Sequence, residues 1–165
     1  MHLTPVTDAQ YAEFSKRHLV DYAEQLTLAG EVPKAESLAV ARKRLHGLLA
    51  DELRINGHQF YVARSRILKP TIGWVWVSPA PAFLGRKRGS SRWLSQLTVD
   101  RAVRGHGWSR ALLEATEQHL IELGVEQLWV RVFDWNTAAR ALYDEHGYEL
   151  VERFGKDSHL RKQLA

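Results

Sequence analysis

Apolar residues in the first third of the chain recur at the three- and four-residue intervals of amphipathic helices. Residues 7–30 predict a first helix, which starts at a capping box with Thr7 and Gln10 at its characteristic spacing. Residues 33–49 predict a second helix, with a proline in its first turn, where proline is tolerated. Residues 2–6 precede both as a short strand. The pattern therefore predicts a strand followed by a helical pair.

The pattern changes after Asn56-Gly57, a strong turn signal. Three runs rich in aromatic and β-branched residues then predict strands, at 59–64, 71–77 and 92–99. Ser78–Ser90 holds prolines, glycines and the triplet Arg86-Lys87-Arg88, so it predicts a loop with the triplet at a hairpin tip. Because no helix separates these strands, they predict an antiparallel meander.

Helical and extended patterns alternate in the last third. Trp108–Leu123 predicts a helix that ends at Gly124, and Gln127–Phe133 predicts an apolar strand. The predicted buried face of this helix consists of Leu112, Thr116, Leu120 and Leu123. A short helix from Asn136 and two strands, at 148–153 and 158–162, complete the chain. A strand, a helix and a strand in this order imply a parallel pair.

Length and composition narrow the class of protein. The 165 residues fit one domain, 1–165, and the formal net charge of +4 is mild. No apolar run approaches the roughly 18–20 residues that span a bilayer, and the N-terminus lacks a signal-peptide pattern. We therefore expect a cytoplasmic protein that binds neither membrane nor nucleic acid. The chain has no cysteine and no paired-histidine motif, so we expect no metal site.

The segment from Leu97 to Arg110 carries the candidate chemistry. A strand leads through Gly105 and Gly107 directly to a helix start, where unpaired N–H groups and the helix dipole favour an anion. The Walker pattern fails because Trp108-Ser109 follows the second glycine, and the Rossmann pattern fails because position 110 is arginine. The glycines alone are equally compatible with a structural turn.

The segment R-G-H-G-W-S resembles the pyrophosphate loop of GNAT acetyltransferases, whose pattern is R/Q-x-x-G-x-G/A. Arg104 and Gly107 match the pattern, whereas Ser109 replaces the usual glycine or alanine. A second resemblance lies in V-F-D-W-N-T-A-A-R-A-L-Y-D-E-H-G-Y, which places Asn136, Ala139 and Tyr143 at the family's spacings. The resemblance covers residues 91–154.

This resemblance implies the GNAT fold, an α/β (α+β) architecture. Its mixed central sheet has an antiparallel N-terminal meander, a splayed parallel strand pair and flanking helices. It also implies that acetyl-CoA is the acyl donor, with pantetheine entering the splay and the pyrophosphate lying on the glycine turn. The residues it assigns to the donor are Leu97, Thr98, Val99, Arg104, Gly105, His106, Gly107, Trp108, Ser109, Arg110, Asn136, Ala139 and Tyr143.

The resemblance further implies catalysis by Tyr143, which would protonate the CoA thiolate as it leaves. A packing role for this tyrosine is the alternative. The N–H near Val99 would stabilise the developing oxyanion. Since no cysteine can carry an acyl group, we expect direct attack by an amine in a ternary complex. The general base stays unassigned, although Ser95, Gln96 and Asp134 lie near the expected centre.

The acceptor is an amine of a small molecule or a protein. Trp74, Trp76 and Trp93 are expected in the core or lining the acceptor pocket. Three acidic residues lie near the junction of the first two helices, together with Tyr22: Glu24, Glu31 and Glu36. They would either attract a cationic amine or be ordinary solvated surface charges. A non-catalytic CoA-binding sensor or interaction module, a larger acyl donor and a homodimer remain open alternatives.

Overall fold

The computed structural model describes residues 1–45, 57–65, 71–81 and 90–165. The elements are, in chain order, β1 (His2–Pro5), α1 (Asp8–Leu28), α2 (Lys34–Leu45), β2 (Gln59–Arg64), β3 (Thr71–Pro79), β4 (Ser91–Val99), α3 (Trp108–Glu122), β5 (Gln127–Phe133), α4 (Thr137–Glu145), β6 (Glu149–Phe154) and β7 (Asp157–Gln163). A 3-10 turn, Arg101–Val103, links β4 to α3. These elements form two compact units, Val6–Gly57 and Met1–Pro5 with His58–Ala165.

The smaller unit is the helical pair. The predicted capping box is confirmed: Thr7 Oγ1 accepts from Gln10 N at 3.3 Å, and Gln10 Oε1 accepts from Thr7 N at 2.9 Å. The two helices pack through a small apolar cluster of Ala23, Leu26 and Ala41. Residues 46–49 of the predicted second helix, Asn56 of the turn signal and the basic triplet at 86–88 lie outside the described residues.

The larger unit is built on a seven-stranded mixed sheet in the order β1-β2-β3-β4-β5-β7-β6. The first four strands are the predicted antiparallel meander, β4 and β5 run parallel, and β5, β7 and β6 are antiparallel. One face of this sheet, called the core face below, packs against α3 and α4. Its buried residues include Val75, Leu94, Val130, Leu160 and, from α3, Leu112. The predicted mixed α/β sheet is therefore confirmed.

Two details of the predicted elements are wrong. Ser78 and Pro79 belong to β3 rather than to the following loop, because they pair with Trp93 and Arg92 of β4. Leu123 was expected on the buried face of its helix but is 52% exposed. The helix ends one residue earlier, in a left-handed turn at Gly124 with φ of 77°, and Val125 then donates to Leu120 O at 2.9 Å. In this Schellman-type ending the apolar residue after the glycine, Val125, fills the core instead.

Gly73 of β3 lies at a close approach of three elements. It pairs with Val99 of β4, and an added Cβ would lie 2.5 Å from Thr98 O and 2.8 Å from Leu112 Cδ2. A carbon atom cannot approach a carbonyl oxygen to 2.5 Å without displacing backbone. Gly73 therefore lets β3, β4 and α3 pack together at the end of β4 that leads to the glycine turn.

Candidate active site

The parallel pair of β4 and β5 is joined over only part of its length. Pairing runs from Ser91 opposite Gln127 to Leu94 opposite Val130, and there it ends. The other side of β4 changes at the same point, because Val77 pairs with Leu94 whereas Trp76 pairs with Gln96. Ser95 is therefore an extra residue, a β-bulge, and bulges bend the strand that carries them. The sequence expectation of a splayed parallel pair matches this geometry.

Beyond the split, β4 still pairs with β3, and this pairing decides where its backbone groups point. Asp100 N donates to Ile72 O at 2.8 Å, so Asp100 faces β3. Along an antiparallel strand, alternate residues direct their N–H and C=O groups to opposite sides. Leu97 and Val99 consequently direct theirs away from β3, into the gap on the β5 side. Both are among the residues that the resemblance assigns to the donor.

The turn after β4 leads into α3 through two left-handed glycines. Gly105 has φ of 84° and Gly107 has φ of 75°, values that favour glycine. An added Cβ would meet no described atom within 4 Å at either position. Gly107 is the N-cap of α3, and within the described chain no side chain caps its first turn. The N–H groups of that turn and the helix dipole therefore form a site suited to an anion.

Three side chains of the predicted phosphate loop make contacts within the protein. Arg104 Nε donates to Val99 O at 3.1 Å, which ties the loop to the end of β4. His106 Nδ1 lies 2.9 Å from Arg104 O. Arg110 forms an ion pair with Glu145 and so links α3 to α4. Of the remaining loop residues, Trp108 is half-buried and packs on the core cluster, whereas Ser109 is exposed.

Helix α4 brings the second motif to the same part of the molecule. Asn136 is its N-cap, with Oδ1 accepting from Ala139 N at 3.1 Å, so the capping role of this asparagine is present. Tyr143 belongs to the core cluster with Val99, and Ala139 and Leu97 pack against that cluster. The apolar side of β4 beyond the split and the motif face of α4 therefore belong to one core cluster.

Tyr143 is buried, with 6% of its surface exposed, and burial raises the pKa of its hydroxyl far above the ordinary value. It is therefore protonated at neutral pH and available as a proton donor. Its ring packs edge-on against Tyr148, with centroids 5.1 Å apart. Lys162 Nζ lies 5.7 Å from the Tyr148 ring centre and 2.5 Å from Oε2 of the buried Glu117. Glu117 of α3 and Lys162 of β7 therefore contact each other next to Tyr148, the residue that packs against Tyr143.

The three residues considered as general base each contact a neighbouring side chain. Ser95 Oγ lies 2.8 Å from Ser78 Oγ, and Gln96 Nε2 donates to Thr98 Oγ1 at 3.0 Å. Asp134 faces Arg153 at 3.7 Å on the surface. A hydroxyl and an amide have no useful basicity at neutral pH, and the carboxylate is held by a cation. None of the three becomes a stronger candidate in the structure.

The tryptophans and acidic residues proposed for the acceptor fall into separate units. Trp74 and Trp76 are buried on the sheet face opposite the core face, and Trp76 Nε1 donates to His58 Nδ1 at 3.0 Å. In the helical unit, Glu31 forms an ion pair with Arg44 at 2.9 Å. That pairing weakens the case for Glu31 as an attraction site for a cationic amine.

The sequence reasoning missed a cluster on the sheet face opposite the core face. Arg131 of β5 forms an ion pair with Asp157 of β7 and pairs directly with His159. The imidazole of His159 contacts Trp93 of β4, with ring centroids 5.0 Å apart. Alternation along the last predicted strand, 158–162, could have placed His159 and Arg161 on one face, but it could not have shown that they lie beside β5.

The sequence model of the acetyltransferase (GNAT) family matches residues 26–148, and the chain belongs to that family. It is an acyl-CoA-dependent N-acetyltransferase.

Individual relatives agree with this assignment at low identity. An uncharacterized N-acetyltransferase of Bacillus subtilis, YycN, is 22% identical over 89% of this chain and 91% of its own, and its crystal structure superposes with a TM-score of 0.82 over 93% and 94%. A [ribosomal protein bS18]-alanine N-acetyltransferase of Haemophilus ducreyi is 36% identical, but only over 35% of this chain and 40% of its own. The PaiA N-acetyltransferase of Thermoplasma acidophilum, solved with coenzyme A, is 13% identical with a TM-score of 0.70 over 98% of both chains.

Some expectations stay predictions. In the part of the chain that the structure describes, no helix is long and apolar enough to cross a membrane, and no three histidine, aspartate or glutamate side chains cluster as metal ligands. The single domain, the cytoplasmic location and the homodimer are not tested by these observations.

Proposed function

We propose that this protein transfers the acetyl group of acetyl-CoA to a primary amine by direct attack in a ternary complex. The observation that carries the proposal is the end of β4–β5 pairing at Leu94. Beyond this point β4 continues unpaired with β5 to Val99, and the chain then leads through the left-handed glycine turn to the start of α3. An extended ligand with a pyrophosphate at one end suits a strand gap that leads to an anion site.

The donor would lie along residues that the geometry brings together. Pantetheine would enter the gap and bond to the backbone of Leu97 and Val99 and lie beside Thr98, with Asn136 and Ala139 on its other side. The pyrophosphate would rest on the backbone from Arg104 to Ser109, with Arg110 nearby. Because Arg104 bonds to the end of β4, its side chain would also fix the distance between the strand and the phosphate site.

The reaction needs one bond to form and one to break. The neutral amine nitrogen attacks the thioester carbon, and the N–H of Val99 stabilises the oxyanion that develops on the carbonyl oxygen. As the C–S bond breaks, the electron pair stays on sulfur, and Tyr143 supplies the proton that makes the free thiol. Burial keeps the Tyr143 hydroxyl protonated before reaction. Because burial also makes the hydroxyl a weaker acid, its proton would be transferred only as negative charge develops on the sulfur.

The acceptor belongs to one of two chemical classes, the amino terminus of a peptide or the amine of a small molecule. A peptide that begins with alanine is a reasonable probe because a relative with that named specificity matches part of this chain. A linear polyamine is the matching small-molecule probe, since it tests whether cationic charge is favoured.

The test follows thiol release from acetyl-CoA with an alanine-initiated hexapeptide, spermidine and n-butylamine, and detects each acetylated product by mass spectrometry. We expect product with at least one amine and no thiol release without it. Acetyl-CoA binding without acetylation of any of the three would contradict the proposed acceptor classes, and turnover only with longer acyl-CoA would indicate a different donor.

A further inference from the structure

On the sheet face opposite the core face, Arg131 is exposed and Trp93 and His159 are half-buried, so this face is partly open to solvent next to the split between β4 and β5. The groups proposed to handle the donor lie on the core face, because Tyr143, Leu97 and Val99 all belong to or pack on the core cluster. An acceptor that meets the thioester in the gap therefore has the opposite face available. Residues that contact the acceptor amine should lie on that face, next to the point where pairing ends.

Strand pairing shows which residues these are. Arg131 directly follows Val130, the last β5 residue paired with β4, and its side chain is on the opposite face from that of Val130. Across the next ladder Arg131 pairs with His159. Trp93, the neighbour of the last paired β4 residue, contacts the His159 ring at 5.0 Å between centroids. His159 thus adjoins the split from the face that the donor does not use.

We propose that His159 is the general base that takes the proton from the acceptor amine. This rests on the proposed acetyl transfer. As the ammonium form of the acceptor enters, one N–H proton passes directly to the imidazole, and the freed lone pair attacks the thioester carbon. His159 releases this proton to solvent and, once the C–N bond has formed, takes the second N–H proton, so that the product is a neutral amide. The thiolate receives its proton from Tyr143, which regains one from solvent.

The surroundings of His159 suit a base that is neutral before reaction. The pKa of His159 is lowered, mainly by burial, while Asp157 and Glu152 raise it and Arg131 lowers it. Glu152 pairs with it from β6, and the aromatic rings of Trp93 and Phe154, the latter at 4.6 Å, flank the imidazole. A histidine with a lowered pKa is unprotonated at neutral pH and can accept a proton.

A labelling experiment tests proximity without knowledge of the acceptor. Bromoacetyl-CoA carries an electrophilic carbon at the position of the acetyl methyl, and an imidazole nitrogen that reaches it displaces bromide. We expect peptide mapping to find the CoA adduct on His159, and excess CoA to prevent the reaction. Saturated binding of bromoacetyl-CoA without an adduct on His159 would overturn the proposal.

A kinetic experiment tests the proton transfer. In the wild-type protein, kcat/KM for the acceptor probe should rise with pH through a pKa below the ordinary histidine value of about 6.5 and then level off. His159→Gln should lower kcat/KM by about 10²-fold, remove that rise and leave acetyl-CoA affinity unchanged. The matched control is His119→Gln in α3, a histidine that contacts Tyr61 and should retain both the rate and the pH profile.

The outcomes separate the two proposals. If the wild-type protein acetylates none of the amine probes, the proposed function fails. If it acetylates one, and His159→Gln keeps the wild-type rate and acid-side pH dependence in a folded protein, the base lies elsewhere and only this inference fails.

Discussion

Helices α3 and α4 begin in opposite ways, although both lie against the same core cluster. Helix α4 begins at Asn136, whose side chain accepts from Ala139 N at 3.1 Å. Helix α1 of the other unit is capped even more completely, by both bonds of a capping box. Helix α3 begins at Gly107, which has no side chain to offer and adopts a left-handed conformation.

The contrast between these helix starts shows that the unpaired N–H groups of a helix can serve either stability or ligand binding. A side-chain cap contributes about 1 kcal/mol by satisfying donors that a helix start leaves unpaired. At α3 the chain forgoes this contribution, and the donors stay available to an anion. Helix α4, which bears the proposed catalytic tyrosine, has a side-chain cap. Helix α3, which is proposed to bind phosphate, has none among the described residues.

The largest expected effect comes from placing a negative charge at the start of α3. Gly107→Glu places a carboxylate beside the proposed pyrophosphate, and like charges in contact cost several kcal/mol, so acetyl-CoA should bind at least about 10²-fold more weakly. The thermal stabilisation that acetyl-CoA gives the wild-type protein should therefore disappear.

Gly124→Glu is the matched control, because Gly124 ends the same helix with φ of 77° and equally open space for a Cβ. Both variants share the backbone strain, so only the loss of the acetyl-CoA shift should distinguish them. A full shift in folded Gly107→Glu would remove the α3 start from the donor site.

The next effect separates chemistry on α4 from binding at α3. Tyr143→Phe keeps the ring that packs on Tyr148 and removes only the hydroxyl, so single-turnover acetyl transfer should slow by about one to three orders of magnitude. Acetyl-CoA dissociation should change much less. A wild-type rate in the folded variant would mean that another group, or solvent, protonates the thiolate.

A smaller effect is expected from removing the side-chain cap of α4. Asn136→Ala should lower the free energy of unfolding by about 1 kcal/mol in urea denaturation, and Thr7→Ala at α1 should act similarly. The pair also tests whether Asn136 contacts the donor, since only Asn136→Ala should then weaken acetyl-CoA binding. Equal stability losses with unchanged donor affinity would leave Asn136 with its capping role alone.

The smallest effect is a response to salt. An anion held by a helix start and nearby cations is screened, so acetyl-CoA affinity should fall several-fold between low and physiological ionic strength. The stability difference between wild type and Thr7→Ala comes from neutral hydrogen bonds and should stay constant. Salt-independent acetyl-CoA affinity would argue against an electrostatic phosphate site.

Most elements of the fold could be predicted because their signals are local. The capping box at Thr7 and the apolar run at residues 127–133 depend on neighbours along the chain, and both predictions are confirmed. The placement of Leu123 on the buried face was wrong because a left-handed turn at Gly124 lets Val125 take the core position. Such an exchange depends on tertiary packing that periodicity does not contain.

The donor side of the candidate site was easier to predict from the sequence than the opposite sheet face. Glycines, Asn136 and Tyr143 form motifs with fixed spacing, so sequence alone indicated the donor side. The cluster of Arg131, Asp157 and His159 is assembled across a strand ladder from positions 26 and 28 residues apart in the sequence. Nothing local marks that pairing, because the order β5-β7-β6 is fixed only when the sheet forms.

Gly73 has a consequence for how this site tolerates mutation. If pantetheine bonds to the backbone of Leu97 and Val99, replacing their side chains with other apolar ones changes few of its contacts. The position of that backbone depends instead on Gly73 of the adjacent strand, where even a methyl group would collide with Thr98 O. A complete mutational scan would therefore find that Leu97 and Val99 tolerate other apolar residues. It would find that Gly73, on the neighbouring strand, tolerates no substitution.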